Sequence, residues 1–263
     1  MKLILSLLAT FALTSGSAFA EHHFEKRVVL YELDGVTFES TIVYEPDNDE
    51  VRPGILMVPN WMGPTEASLE KAMKMAGDDY FVMMVDMYGT DTRPTNGSEA
   101  GAAAGKLRSD RNLMRARAAK ALEVFKAEAA PLGLNVKEVA AAGFCFGGGT
   151  VLELGRTGES LDAIVSFHGD LISPTLEADA AKTTAKVLVL HGADDPYVSQ
   201  EDVETFVSTM QDTEVDWQLV QYSDTVHSFT NPEANSDGSR YNPTSSKRAF
   251  AAMHNLLEEL WDE

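Results

Sequence analysis

Cysteine is nearly absent from this 263-residue chain: Cys145 is the only one, which excludes an internal disulfide and leaves apolar packing to hold the fold. Positive charge is also scarce, with 21 Lys and Arg against 41 Asp and Glu and a formal net charge of −20. A surface this negative repels phosphate backbones and anionic lipid, whose binding depends on clustered Lys and Arg. Nucleic acid and a stable membrane surface are therefore excluded as partners. Long apolar runs are missing beyond the N-terminus, so nothing later in the chain is expected to span a bilayer. Finally, no Gly-x-Ser-x-Gly pentapeptide occurs, which removes a serine nucleophile of that type.

The first twenty residues, MKLILSLLATFALTSGSAFA, stand apart. Lys2 precedes an apolar run from Leu3 to Leu13, and small residues follow up to Ala18-Phe19-Ala20, the pattern of a cleavable secretory signal. The run is short for a membrane span of about 20 residues. Residues 1–20 therefore read as a signal peptide, with cleavage after Ala20 and an exported, periplasmic or secreted product. The remaining stretch, 21–263, reads as a single domain, since 44% hydrophobic residues supply one substantial core. In an oxidising compartment a lone cysteine is either a reactive thiol or a small buried hydrophobe.

Period and punctuation predict an α/β fold. A hairpin runs from Arg27 to Leu33, through Asp34-Gly35, to Val36–Tyr44. GILMV from Gly54 and FVMMV from Phe81 are continuous apolar runs, as expected of strands covered on both faces. A helix over about 67–75 separates them. Next come a helix over about 109–129, a strand near 139–142, a helix after Gly147 and a strand over 161–167. KVLVLH at 186–191 is a strand, followed by a helix near 200–210, a strand near 217–222 and a closing helix that starts at Asn242-Pro243. Trp217 alternates with Val215 and Leu219, which assigns it to core packing. This alternation implies a mainly parallel sheet with helices on both faces and an antiparallel N-terminal hairpin. Residues 90–105 form the longest interruption, with a short helix expected over 99–104. The basic residues Arg108, Arg111, Arg115, Arg117 and Lys120 read as a solvated helix face.

In AAGFCFGGGT, Cys145 follows a buried strand and precedes a Gly-rich helix start. Such a strand-to-helix elbow lifts a side chain out of the end of the sheet. Gly143 and Gly147 are small because the backbone turns sharply and a side chain would strike the neighbouring strand or helix. The helix start lowers a thiol pKa and offers a backbone N–H to an oxyanion. A nucleophile of this kind needs an acid and a histidine later in the chain. HGADDPYV supplies Asp194 and Asp195 directly after a strand, with Asp195 the better fit because Pro196 ends its turn. YSDTVHSF supplies His227 after the following strand.

Through GFCFGG, HGADDPYV and VHSF the chain resembles the dienelactone hydrolase family, the cysteine-nucleophile branch of the α/β-hydrolase superfamily. VPNWMG, DMYG and FHGDL match at further strand ends. The resemblance implies a catalytic triad of Cys145, Asp195 and His227, with the backbone N–H groups of Trp61 and Phe146 forming an oxyanion hole. Asn60, Tyr88, Arg93, His168 and Ser228 would line the substrate pocket; from the residues alone, His168 fits pocket and core equally. Well-studied members carry a glutamate where this chain has Asn60, and two arginines that clamp a substrate carboxylate where it has Thr90 and Asn231. An amide cannot take a thiol proton, so His227 would activate the thiol unaided. Arg93 is the only cation near the clamp positions, which makes anionic dienelactone itself a poor candidate substrate.

The expected reaction is hydrolysis of a small, neutral carboxylic ester or lactone through a thioester on Cys145. No cofactor and no metal is required; His22 and His23 beside the new N-terminus read as a tail. Two other classes compete: a non-catalytic binding module on the same fold, and a thiol redox sensor built on Cys145. For the exported protein, intact-mass measurement of material recovered outside the cytoplasm should give a chain beginning at Glu21; a retained leader would overturn the secretory reading.

Overall fold

The computed structural model describes residues 23–261, so the expected signal peptide and His22 lie outside the described residues. Strands β1 (Glu25–Leu33) and β2 (Val36–Tyr44) form the hairpin around Asp34-Gly35. The chain then alternates through β3 (Arg52–Val58), α1 (Glu66–Ala76), β4 (Phe81–Met84), α2 (Gly97–Ser109) and α3 (Arg111–Ala129). It continues with β5 (Leu134–Phe144), α4 (Phe146–Gly155), β6 (Ala163–Phe167) and the short α5 (Leu176–Asp179). β7 (Lys186–Gly192), α6 (Gln200–Gln211), β8 (Trp217–Tyr222) and α7 (Pro243–Trp261) complete it. The strands form one eight-stranded sheet in the order β1-β2-β4-β3-β5-β6-β7-β8. β1–β2 and β2–β4 are antiparallel and every other pairing is parallel. This is the expected α/β-hydrolase architecture.

The continuous apolar runs have a simple cause: each central strand feeds two cores. In β3, Leu56 and Val58 face α3 and α4, while Ile55 and Met57 join the core beneath α1 and α7. Ala141 and Ile164 repeat the first side; Ala142, Phe144, Val165 and Phe167 repeat the second. Burying both faces demands side chains that are apolar at every position rather than at alternate ones.

Three details depart from the sequence reading. The short helix expected over 99–104 is thirteen residues long, because the Asn96 side chain caps it by accepting from the Ser98 and Glu99 amides at 3.0 and 3.1 Å. β5 begins at Leu134, five residues before the apolar run that announced it. The basic face of α3 is not a solvated face. Arg115 contacts Glu153 and Asp179, both at 2.7 Å, Arg111 contacts Asp170 at 2.9 Å, and Arg117 is buried with its guanidinium donating to the Met87 carbonyl at 2.8 Å. Glu153, 1% exposed, also receives Arg156 at 2.9 Å. These arginines tie α3 to α4 and α5, and the pairing partners lie 30 to 64 residues away in sequence.

The elbow between β5 and α4 is the tightest point of the fold. A Cβ on Gly143 would lie 2.0 Å from the Gly147 carbonyl oxygen, and one on Gly147 would lie 2.1 Å from the Val58 oxygen. Those are backbone atoms with no flexible end to yield. Gly147→Ala should therefore lower the unfolding free energy by about 1–3 kcal/mol, read as a drop in the urea midpoint; an unchanged midpoint would show that the elbow tolerates separation from β3.

Candidate active site

Cys145 caps α4 with φ 56° and ψ −116°, a left-handed conformation that a side-chain-bearing residue adopts only under constraint. Its own N–H is shared between the Phe167 carbonyl at 3.0 Å and His168 Nδ1 at 3.1 Å. The cap makes no side-chain hydrogen bond to the helix; its carbonyl accepts the Gly148 and Gly149 amides at 3.0 and 3.3 Å, and the Phe146 amide is left without a backbone acceptor. The Phe146 N–H points at the Cys145 sulfur.

His227, 8% exposed, lies in the loop after β8. Its Nδ1 is 2.7 Å from Asp195 Oδ2, and the ring's other side hydrogen-bonds Cys145. Asp195 is held in turn: its Oδ1 accepts the Tyr197 N–H at 2.9 Å, and its carboxylate is fully shielded from solvent. Asp194 is exposed and takes no part. The three side chains, from three different strand ends, thus form one hydrogen-bonded line. Carboxylate orients imidazole, and imidazole reaches thiol.

Burial pushes the Cys145 thiol up, but the hydrogen bond and charge of His227 outweigh it, with smaller help from the Phe146 amide and the Arg108 guanidinium. The thiol therefore ionises below its ordinary value. Burial alone would lower His227; the hydrogen bonds of Asp195 and Cys145 instead raise it to about 9. The two shifts have opposite sign and share a cause, the Cys145–His227 contact, which favours thiolate beside imidazolium over the neutral pair.

Around this line the other predicted residues divide. Trp61 is 38% exposed; its carbonyl accepts the Tyr88 hydroxyl at 2.8 Å, while its N–H donates to no acceptor among the described residues. That leaves the Trp61 amide as an open donor, beside a Phe146 amide that meets the sulfur and no carbonyl. Tyr88 is buried, with its ring centroid 5.6 Å from that of Phe146, and its hydroxyl braces Trp61. Asn60 turns back on its own loop, its side-chain oxygen accepting the Met62 N–H at 2.9 Å. Arg93 is held by Asp86 at 2.9 Å and by the Gly89 carbonyl at 2.6 Å. His168 is 2% exposed and both ring nitrogens are engaged: Nδ1 accepts from Cys145, so Nε2 carries the proton and donates to Thr230 Oγ1 at 2.9 Å. Burial, then the charges of His227 and Lys71, holds His168 well below the usual imidazole range, hence neutral. It supports the elbow from behind. Ser228, at φ 56°, sits beside His227 and its carbonyl accepts the Asn231 N–H at 2.9 Å.

Three contributors were missed in the sequence. Tyr197, 66% exposed, sets its ring edge-on to His227 at 5.2 Å. Arg108, at the end of α2, lies over the Phe146 ring with 5.6 Å to its centroid and no carboxylate partner among the described residues. Lys71 lies over Phe144. An aromatic directly after the DDP turn was a usable signal for Tyr197; the other two depend on how helices pack. Among the described residues no cluster of His, Cys, Asp and Glu could hold a metal ion, and no helix is long and apolar enough to cross a membrane.

The family model described as the dienelactone hydrolase family matches residues 40–261. The chain belongs to that family. Among solved structures it is similar to a dienelactone hydrolase-like promiscuous phosphotriesterase, P91, from metagenomic libraries, at 34% identity over 90% of this chain and 98% of that one, with a TM-score of 0.84. It is equally similar in fold to m3DLH, at 32% identity, the same coverages and the same TM-score. A curated relative is the uncharacterized protein K02A2.1 of Caenorhabditis elegans, 28% identical over 158 residues, which are 58% of this chain and 98% of that protein.

Because His227 is what overcomes burial at the thiol, alkylation of Cys145 by iodoacetamide should show a rate midpoint below the ordinary thiol value of about 8.5. In His227→Ala the midpoint should rise to that value or above it; an unmoved midpoint would mean the imidazole does not ionise the thiol.

Proposed function

We propose that this member of the dienelactone hydrolase family is an exported hydrolase of small carboxylic esters or lactones that works through Cys145, His227 and Asp195. The observation that carries the reading is the 2.7 Å Asp195–His227 contact continued to the sulfur of a strained helix cap. The thiolate attacks the carbonyl carbon, and the Trp61 and Phe146 amides receive the developing oxyanion, each donor contributing about 3 kcal/mol. The His227 imidazolium gives its proton to the leaving oxygen. Now neutral, His227 takes a proton from water as its oxygen attacks the thioester carbonyl, and sulfur leaves as thiolate, restoring the thiolate–imidazolium pair. Asp195 fixes the imidazole tautomer and stabilises its cation. Export rests on the leader at residues 1–20.

For the substrate, Arg93 engaged by Asp86 supports a neutral ester. A second reading comes from Arg108, whose unpartnered guanidinium over Phe146 favours a negative substituent on that side of the hole. The relative P91 is described as a phosphotriesterase, so a phosphotriester belongs among the probes.

The deciding experiment is hydrolysis of p-nitrophenyl acetate by wild type and Cys145→Ala, beside an ester with an anionic acyl group and the phosphotriester paraoxon. Turnover lost by at least a thousandfold in Cys145→Ala is expected, with the neutral ester preferred. Equal turnover in both proteins, or none in either, would remove the hydrolytic reading and favour the binding module or the thiol sensor. Preference for the anionic ester, lost in Arg108→Gln, would select the second substrate reading.

A further inference from the structure

Lys71 has no place in the reaction as described, yet it is the ammonium group packed behind the nucleophile. It lies on α1, partly buried, with Nζ 3.9 Å from the centroid of the Phe144 ring. Phe144 is the last residue of β5 and the immediate neighbour of Cys145. Its ring stacks on Phe167 at 4.6 Å and stands 6.3 Å from the His168 ring, whose Nδ1 takes the Cys145 amide. Phe250 of α7 closes the same pocket at 6.1 Å from Phe144. Lys71 has no hydrogen-bond or carboxylate partner among the described residues. In a chain with twice as many acids as bases, a surface lysine would find one easily, so its isolation follows from where the helix directs it.

The strands beneath α1 present apolar side chains to that side of the sheet, among them Val43, Val82 and Met84. The charges whose fields meet Lys71 are Lys74 on its own helix and Cys145; His168 feels Lys71 in return, together with His227 and His191. Burial, then Lys74, lowers Lys71 to about 8, and Cys145 opposes that shift. A cation over an aromatic face is held by the ring's negative quadrupole.

We propose that Lys71 is a positioning cation for the nucleophile: its ammonium, seated on the Phe144 ring behind the elbow, favours the Cys145 thiolate. The inference rests on the reading of Cys145 as a reactive thiol. It makes reactivity depend on a residue of α1, an element that contributes nothing else to the thiol.

The test measures the pH dependence of iodoacetamide alkylation in wild type, Lys71→Met and Lys71→Arg. Met keeps the length of the stem and removes the charge. In Lys71→Met the midpoint should rise, slowing alkylation on the acidic limb by about three- to tenfold, with the limiting rate unchanged; Lys71→Arg should restore the midpoint. An unmoved midpoint in a folded Lys71→Met overturns the proposal, as does a lower limiting rate with the same midpoint, which is the mark of a packing role alone. Should Lys71→Met fail to fold, wild-type protein with 15N-labelled lysine gives the reciprocal measurement. The Lys71 ammonium should titrate near 8, and blocking Cys145 with iodoacetamide should lower that midpoint; no change on blocking overturns the coupling. Alkylation needs no substrate, so absence of ester turnover would leave this result standing, and the two readings fail separately.

Discussion

The first turn of α4 is pressed against the carbonyl ends of β3 and β5, and the geometry of the site follows from that contact. Gly147 lies where a Cβ would be 2.1 Å from the Val58 oxygen, and Gly143 lies where one would touch Gly147 itself. With helix and strand this close, the chain reverses within one residue. Cys145 takes the left-handed conformation because β5 must hand its chain to α4 at that angle. The strain, of the order of 1–3 kcal/mol, is borne by the two cores beneath. In exchange the sulfur stands clear of the sheet beside amides that no carbonyl satisfies. His168 and Ser228 share the positive φ, so the loops after β6 and β8 bend sharply at the same end of the sheet.

Charge is distributed by a similar logic. The acidic excess is largely on the surface, whereas several arginines are drawn to buried carboxylates. Arg111, Arg115 and Arg156 surround the buried Glu153 and fix α4 to its neighbours. A buried carboxylate with three guanidinium partners leaves little freedom to the helix whose N-terminus carries Cys145, because breaking any contact would strand a charge in a low-dielectric interior. Arg108 and Lys71 are different. Neither has a carboxylate partner, and both rest on aromatic rings flanking the nucleophile, Phe146 on one side and Phe144 on the other. Two cations without carboxylate partners thus flank Cys145 on a strongly negative molecule.

Much of this was legible in the sequence, and for identifiable reasons. The hairpin was marked by Asp34-Gly35, the central strands by unbroken apolar runs, and the elbow by paired glycines around Cys145, all local signals. The choice of Asp195 over Asp194 followed from Pro196 and agrees with the 2.7 Å contact to His227. What stayed hidden depends on partners far away in the chain. The α3 arginines look like a solvated face until Glu153, Asp170 and Asp179 are brought to them. The length of α2 was obscured by Gly97, Gly101 and Gly105, which argue against a helix one by one although Asn96 caps it. Lys71 sits within an ordinary amphipathic pattern, and only the packing of α1 over Phe144 sets it apart.

Asn60 brings these threads together. Where relatives are expected to place a carboxylate that takes part in activating the thiol, this chain has an amide whose oxygen closes its own turn on Met62. A second carboxylate beside Cys145 would oppose a thiolate by like-charge repulsion, whereas an amide leaves the field to the cations. In this chain His227, the Phe146 amide and Arg108 lower the thiol pKa against its burial, with no second carboxylate to oppose them. On the proposed hydrolytic reading, a thiol poised in this way meets the substrate carbonyl with its proton already loosened. The cost is a thiol open to oxidation, which the half-buried position of Cys145 limits.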